Sequence, residues 1–233
     1  MAFHRLLLYA AICLASMGIL INEVCADMYV DRSIVTFEKG SQLKEDVKVT
    51  NSADENIYIQ VEVLEVRNPG HADELRARVT DPSAMKLIAT PDKLIIPPNG
   101  QKYVRIVNLQ TANDEERIYR VNFKPIVAPL EDQTSQLRIV VAYQILTIVQ
   151  PDSPDSALRA NRTGKLIDFK NLGNTNVLLS DGIQCHPANH EQCEELTSKR
   201  LYAGNNWTLD LPFDAPVSFS IRGFDGIRKQ VFP

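Results

Sequence analysis

Apolar and polar side chains alternate with a period of two along most of this chain. The alternation falls into short runs at residues 28–37, 46–50, 57–66, 85–88, 93–96, 103–109 and 118–125, each suited to a β-strand with one buried face. Turn chemistry separates them at Lys39-Gly40, 51–54, Asn68-Pro69-Gly70, Asp81-Pro82 and 97–100, where glycine, asparagine and proline supply the torsions that reverse a chain. Runs at this spacing predict an all-β sandwich and exclude alternating strands and helices. The best helical stretch is 72–78, with Pro82 soon after it.

The longest run, QLRIVVAYQILTIV at 136–149, organises the chain. Read as one strand, it places Leu137, Ile139, Val141, Tyr143, Ile145, Thr147 and Val149 on one face. The other face carries Arg138, Val140, Ala142, Gln144, Leu146 and Ile148. Fully extended, the run spans roughly 45 Å, more than one small sandwich covers. Part of its apolar edge is therefore left for another chain. The composition then shifts to Pro, Asp and Ser at 150–155, as in a linker between compact units. Beyond it the strand grammar resumes at 165–170, 176–179, 196–202, 207–211, 217–222 and 226–232. The predicted organisation is a leader at 1–26, a first sandwich domain at 27–150 and a smaller second one at 151–233.

The leader reading rests on basic His4 and Arg5, an apolar stretch at 6–21, and Val24-Cys25-Ala26 as a small-residue cleavage pattern. The expectation is export to the periplasm with Asp27 as the first mature residue. The formal net charge is −4, and removing Arg5 with Glu23 leaves it unchanged. No basic footprint points to nucleic acid, and no second apolar run points to membrane insertion of the mature chain.

Chemistry-bearing motifs are sparse. G-x-S-x-G, the phosphate-cradling loop and G-x-G-x-x-G are all missing, so neither an enzyme nor a cofactor is expected. Beyond the leader stand Cys185 and Cys193, and Cys185-His186-x3-His190-x2-Cys193 has residue types that suit tetrahedral zinc. Export argues instead for a disulfide, which would staple a small second core, and no metal is expected. The acidic clusters Asp54-Glu55, Asp114-Glu115-Glu116 and Glu194-Glu195 lie in polar stretches and read as solvated loops.

Several segments carry a family likeness in order and spacing. They are Val30-Asp31-Arg32, Ala89-Thr90-Pro91, Leu94-Ile95-Ile96-Pro97-Pro98-Asn99-Gly100-Gln101, Arg105-Ile106 and Glu116-Arg117-Ile118-Tyr119-Arg120-Val121. Tyr143, Pro151, Asn171-Leu172-Gly173-Asn174 and the spaced Cys185 and Cys193 continue it. Together they resemble periplasmic chaperones of the chaperone–usher pilus pathway, most of all the alternate branch serving common-pilus and colonisation-factor-type fimbriae. The resemblance implies two immunoglobulin-like β-sandwich domains with a cleft between them. It implies pilus subunits and an outer-membrane usher as partners, and a donated strand that completes the subunit's own sandwich. Aligned with the family's donor strand, Leu137, Ile139 and Val141 are the inserted residues, and Tyr143 leads into the chaperone's own core.

In the classical branch, an Arg on the first strand and a Lys on the long strand bind the subunit's C-terminal carboxylate. Here those positions fall near Ile34 and Leu146, neither of which is basic. Arg32, Arg120 and Arg105 are the candidate substitutes, and alternation puts Arg32 on the same face as Ile34. An exposed apolar edge also invites self-association. The alternative reading is an exported structural fimbrial subunit or an adhesive immunoglobulin-like binding module.

Overall fold

The computed structural model describes residues 28–110, 112–126 and 140–233. The expected leader and the donor residues Leu137 and Ile139 lie outside the described residues. Within them the period-two pattern becomes two successive β-sandwiches.

The first is built from β1 (Met28–Val30), β2 (Ile34–Phe37), β3 (Lys44–Asn51), β4 (Ile57–Arg67), β5 (Leu75–Ala77), β6 (Leu87–Thr90), β7 (Lys93–Ile96), β8 (Gln101–Asn108), β9 (Arg117–Pro125) and β10 (Tyr143–Val149). One sheet has the order β1-β3-β8-β6, and the other β2-β10-β9-β4-β5 with β7 also on β4. Alternate residues from both sheets, among them Val47, Val49, Ile59, Val104, Val121, Phe123 and Ile145, meet in a dry core.

Two expectations about local structure change here. Residues 28–37 are not one strand. Asp31 Oδ1 accepts the Lys48 N–H at 3.0 Å, and the chain crosses between sheets, with β1 antiparallel to β3 and β2 parallel to β10. Segment 72–78 is not helical, because Asn68 and Gly70 take positive φ and turn the chain so that β5 pairs with the end of β4. Of the long run 136–149, the described strand is β10, and Val140 to Ala142 are not strand.

The second sandwich comprises β11 (Leu158–Thr163), β12 (Leu166–Asn171), β13 (Val177–His186), β14 (Asn189–Leu196), β15 (Lys199–Leu201), β16 (Asn206–Asp210), β17 (Val217–Gly223) and β18 (Gly226–Phe232). Its sheets are β11-β12-β16 and β14-β13-β17-β18, with β15 on β13. Phe169 organises the core, stacked on Trp207 at 5.6 Å and edge-on to Phe219 and Phe232 at 5.5 and 5.1 Å. Strand β14 is almost wholly exposed, so no alternation announces it. Pairing with β13 and the Cys185–Cys193 disulfide, formed between residues opposite each other, hold it in place. Both sulfurs are thereby removed from the thiolate form that zinc ligation requires.

Candidate subunit-binding cleft

The face of the β2-β10-β9-β4 sheet that turns away from its own core forms one wall of a cleft. Strand register arranges that wall in rows. At the base, Ile148, Ile118 and Val66 sit side by side and are buried with Leu146 against Tyr202 of the second sandwich. The next row runs Ile34, Leu146, Arg120, Leu64. The outer row is polar, with Gln144 Nε2 donating to Asn122 Oδ1 at 2.7 Å and the Lys124 ammonium on Glu62 at 2.7 Å.

Arg120 therefore stands in line with the two apolar positions, Ile34 and Leu146, where the resemblance led one to look for basic residues. It is half-buried, and its buried Nε has no hydrogen-bond acceptor among the described residues. The other candidates are placed differently. Arg32 falls in the break between β1 and β2, not in a strand with Ile34, and pairs with Asp31 and Glu45, both at 3.3 Å. Arg105 lies on β8 in the opposite sheet and makes a two-pronged pair with Asp46, both bonds 2.7 Å. Of the three, Arg120 alone faces the cleft.

Strand β10 has an open side. Strand β2 accompanies it only from Leu146 to Val149, where Leu146 N–H reaches Ser33 O at 3.0 Å. Tyr143, Gln144 and Ile145 have no strand partner on that side among the described residues. Val140 and Val141, just ahead of them, are 43% and 42% exposed. Tyr143 packs partly against the first core and Ile145 lies fully within it.

The second wall is the outer face of β15, β13 and β17. Leu178 is flanked in register by Arg200 on one side and Arg222 on the other. Arg200 Nη1 donates to Asn176 Oδ1. The Asn176 backbone and side-chain amides and the Thr175 hydroxyl in turn donate to Glu116 Oε2 at 3.0, 2.6 and 2.6 Å. Glu116 is not in a solvated acidic loop as its neighbours suggested. It joins the two sandwiches, and its Oε1 is buried without a partner among the described residues. Burial pushes its carboxyl above the ordinary range despite the bonds from Thr175 and Asn176. Burial likewise pushes the Arg200 guanidinium down and the Tyr202 phenol up.

Backbone contacts lock the floor. Glu116 N–H reaches Asn174 O at 3.3 Å, Asp152 N–H reaches Asn113 O at 2.8 Å, and Asn174 Nδ2 donates to Asp114 O and Ser153 O. The turn at Gly70 closes against Tyr202 and Asn205 so tightly that a Cβ there would lie 2.5 Å from Asn205 Oδ1. Sequence reading missed Glu116, Asn176 and Arg200. For Arg200 a signal existed, since Arg200-Leu201-Tyr202 alternates with Leu201 inward.

Two sandwiches joined at a cleft, with an open strand edge running into it, define a class of strand-lending assembly chaperones. Residues 27–155 match the PapD N-terminal domain family of pili and flagellar-assembly chaperones, and this chain belongs to that family. It is 29% identical over 172 residues to a CS1 fimbrial protein of Escherichia coli, covering 69% of this chain and 71% of that one. The class 5 fimbriae chaperone CfaA has the same fold, with a TM-score of 0.62 at 22% identity over 88% of this chain and 99% of its own. The chaperone SafB of Salmonella enterica, solved in complex with the SafA pilin, superposes with a TM-score of 0.63 at 15% identity over 89% and 96%. These matches bear out the two immunoglobulin-like domains and the colonisation-factor-type branch. Among the described residues, no helix is long and apolar enough to cross a membrane.

Proposed function

We propose that this protein is a periplasmic, non-enzymatic chaperone that holds pilus subunits in its cleft by lending them a strand, and then passes them to an outer-membrane usher. Leu137, Ile139 and Val141 enter the subunit's open groove, while Tyr143 ties the lent segment to the chaperone's core. Arg120 binds the subunit's C-terminal carboxylate.

One observation carries this reading. The open side of β10 ends at Leu146, where β2 takes over the edge, and Arg120 is the residue level with Leu146 on the neighbouring strand. A pilin strand that pairs along the open side, parallel to β10 as β2 is, must stop where β2 begins. Its C-terminus then arrives in the row that holds Arg120. Main-chain pairing supplies affinity, and a charged terminus met by a guanidinium sets the register. The match to chaperones, one of them solved with its pilin, supports this role over that of a structural fimbrial subunit.

The test is co-expression with the pilus subunit from the same gene cluster, followed by co-purification. Replacing Leu137, Ile139 and Val141 together by Asp abolishes the complex while leaving the chaperone's own unfolding transition intact. Complex recovered at wild-type yield would rule out strand donation from this segment.

A further inference from the structure

We infer that Arg200, on the second sandwich, is a further residue binding the C-terminal carboxylate of a pilus subunit, facing Arg120 across the cleft. The inference rests on the anchoring role proposed above for Arg120.

Strand periodicity sets the direction of the side chain. Leu201 is fully buried in the second core, so Arg200 and Tyr202 project from the opposite side of β15. Tyr202 packs onto Leu146, Ile148, Ile118 and Val66, so that side of β15 meets the cleft wall of the first sandwich. Arg120 stands in the same row as Leu146, and its charge acts on both Tyr202 and Arg200. Arg222, across Leu178 from Arg200, adds a third positive charge to a chain whose net charge is −4.

The neighbouring acids do not neutralise this group. Glu74 accepts from Gly70 N–H at 2.8 Å and from Arg76 at 2.9 Å. Glu116 is driven toward its neutral form by burial. Half-buried like charges repel, and an anion between them turns that repulsion into attraction. Among the described residues, Arg200 uses one donor on Asn176, so the rest of its planar fork is available for a carboxylate.

Its orientation is also built. Asn176 Nδ2 is committed to Glu116 Oε2 at 2.6 Å, which leaves Oδ1 pointed at Arg200. A residue of the first sandwich thereby orients a cation of the second. The carboxylate would be held by one arginine from each unit.

The test uses the full mature chain and a peptide copied from the C-terminal strand of its pilus subunit, made with a free carboxylate and as the C-terminal amide. The wild type binds the carboxylate form more tightly. Arg200→Gln reduces that preference about tenfold, the value of one charge-assisted contact, with little change in affinity for the amide, and Arg200→Lys restores part of it. Equal weakening for both peptides, or a preference left at the wild-type value in R200Q while R120Q abolishes it, overturns the role of Arg200 and leaves Arg120 as the anchor. No loss of preference in R120Q, R200Q or the double variant overturns the anchoring reading itself. Circular dichroism and thermal unfolding of R200Q and R200K separate lost binding from lost folding.

Discussion

Asn51 and Asn171 hold equivalent places in the two sandwiches, each at the end of a strand and 0% exposed. Asn51 Nδ2 donates to the carbonyls of Glu55, Ile96 and Pro97, while its Oδ1 accepts from Ala53 N–H. Asn171 repeats this with Thr175, Leu201 and Gly173. An alanine at either place strands two or more buried carbonyls, each costing about 1–3 kcal/mol. Asn51→Ala and Asn171→Ala are each expected to destabilise their own sandwich by about 3 kcal/mol, read from urea unfolding. Glu116 is the residue with a pH signature. Its folded pKa is raised by burial above the ordinary value of 4.5, so its contribution is fully present below about that value and is lost as pH rises through the folded pKa. Glu116→Gln is expected to flatten the pH dependence of unfolding across that interval. A difference from wild type that stays constant with pH would mean that the carboxyl titrates normally.

At the scale of elements, β10 divides its two edges between two tasks. On one side β9 accompanies it from Tyr143 to Val149; on the other, β2 begins only at Leu146. Val141, outside the strand and 42% exposed, costs the free chaperone little if replaced. Burying it in a pilin groove is worth roughly 1.5–3 kcal/mol. Val141→Asp is therefore expected to weaken pilin binding by at least about tenfold with an unchanged melting temperature, and calorimetry on the purified pair measures both. The β13–β14 hairpin behaves in the opposite sense. The Cys185–Cys193 link closes a separation of 8 residues around a strand with almost no buried side chains. Replacing both cysteines by Ser is expected to cost about 2 kcal/mol, confined to the second sandwich. Hydrogen exchange should show faster exchange at β14 and none of that change in the first sandwich.

For the whole molecule, binding depends on how the two sandwiches meet. Tyr202 is the second unit's contribution to the apolar contact at the cleft base, beside the tight approach of Gly70. Tyr202→Ala removes that contact while leaving both cores intact. The expected result is two separate unfolding transitions, a wider angle between the units in solution scattering, and weaker pilin binding. If the scattering profile stayed the same, the polar joint at Glu116, Thr175 and Asn176 would be sufficient to hold the units together.

Alternation of side chains determined by itself that this chain is all-β, where most strands run and which residues fill the two cores. That information is local: a period of two states which face of a strand is dry, wherever the strand finally pairs. Tertiary structure alone decided three other things. It broke 28–37 between two sheets, because Asp31 is drawn to the backbone of β3. It formed β14 from polar residues, because a neighbouring strand and a disulfide suffice without a buried face. And it brought Arg120, Glu116, Asn176 and Arg200 to one cleft, because pairing register and the docking of two separate cores are set by contacts between residues far apart in the chain, on which a local pattern carries no information.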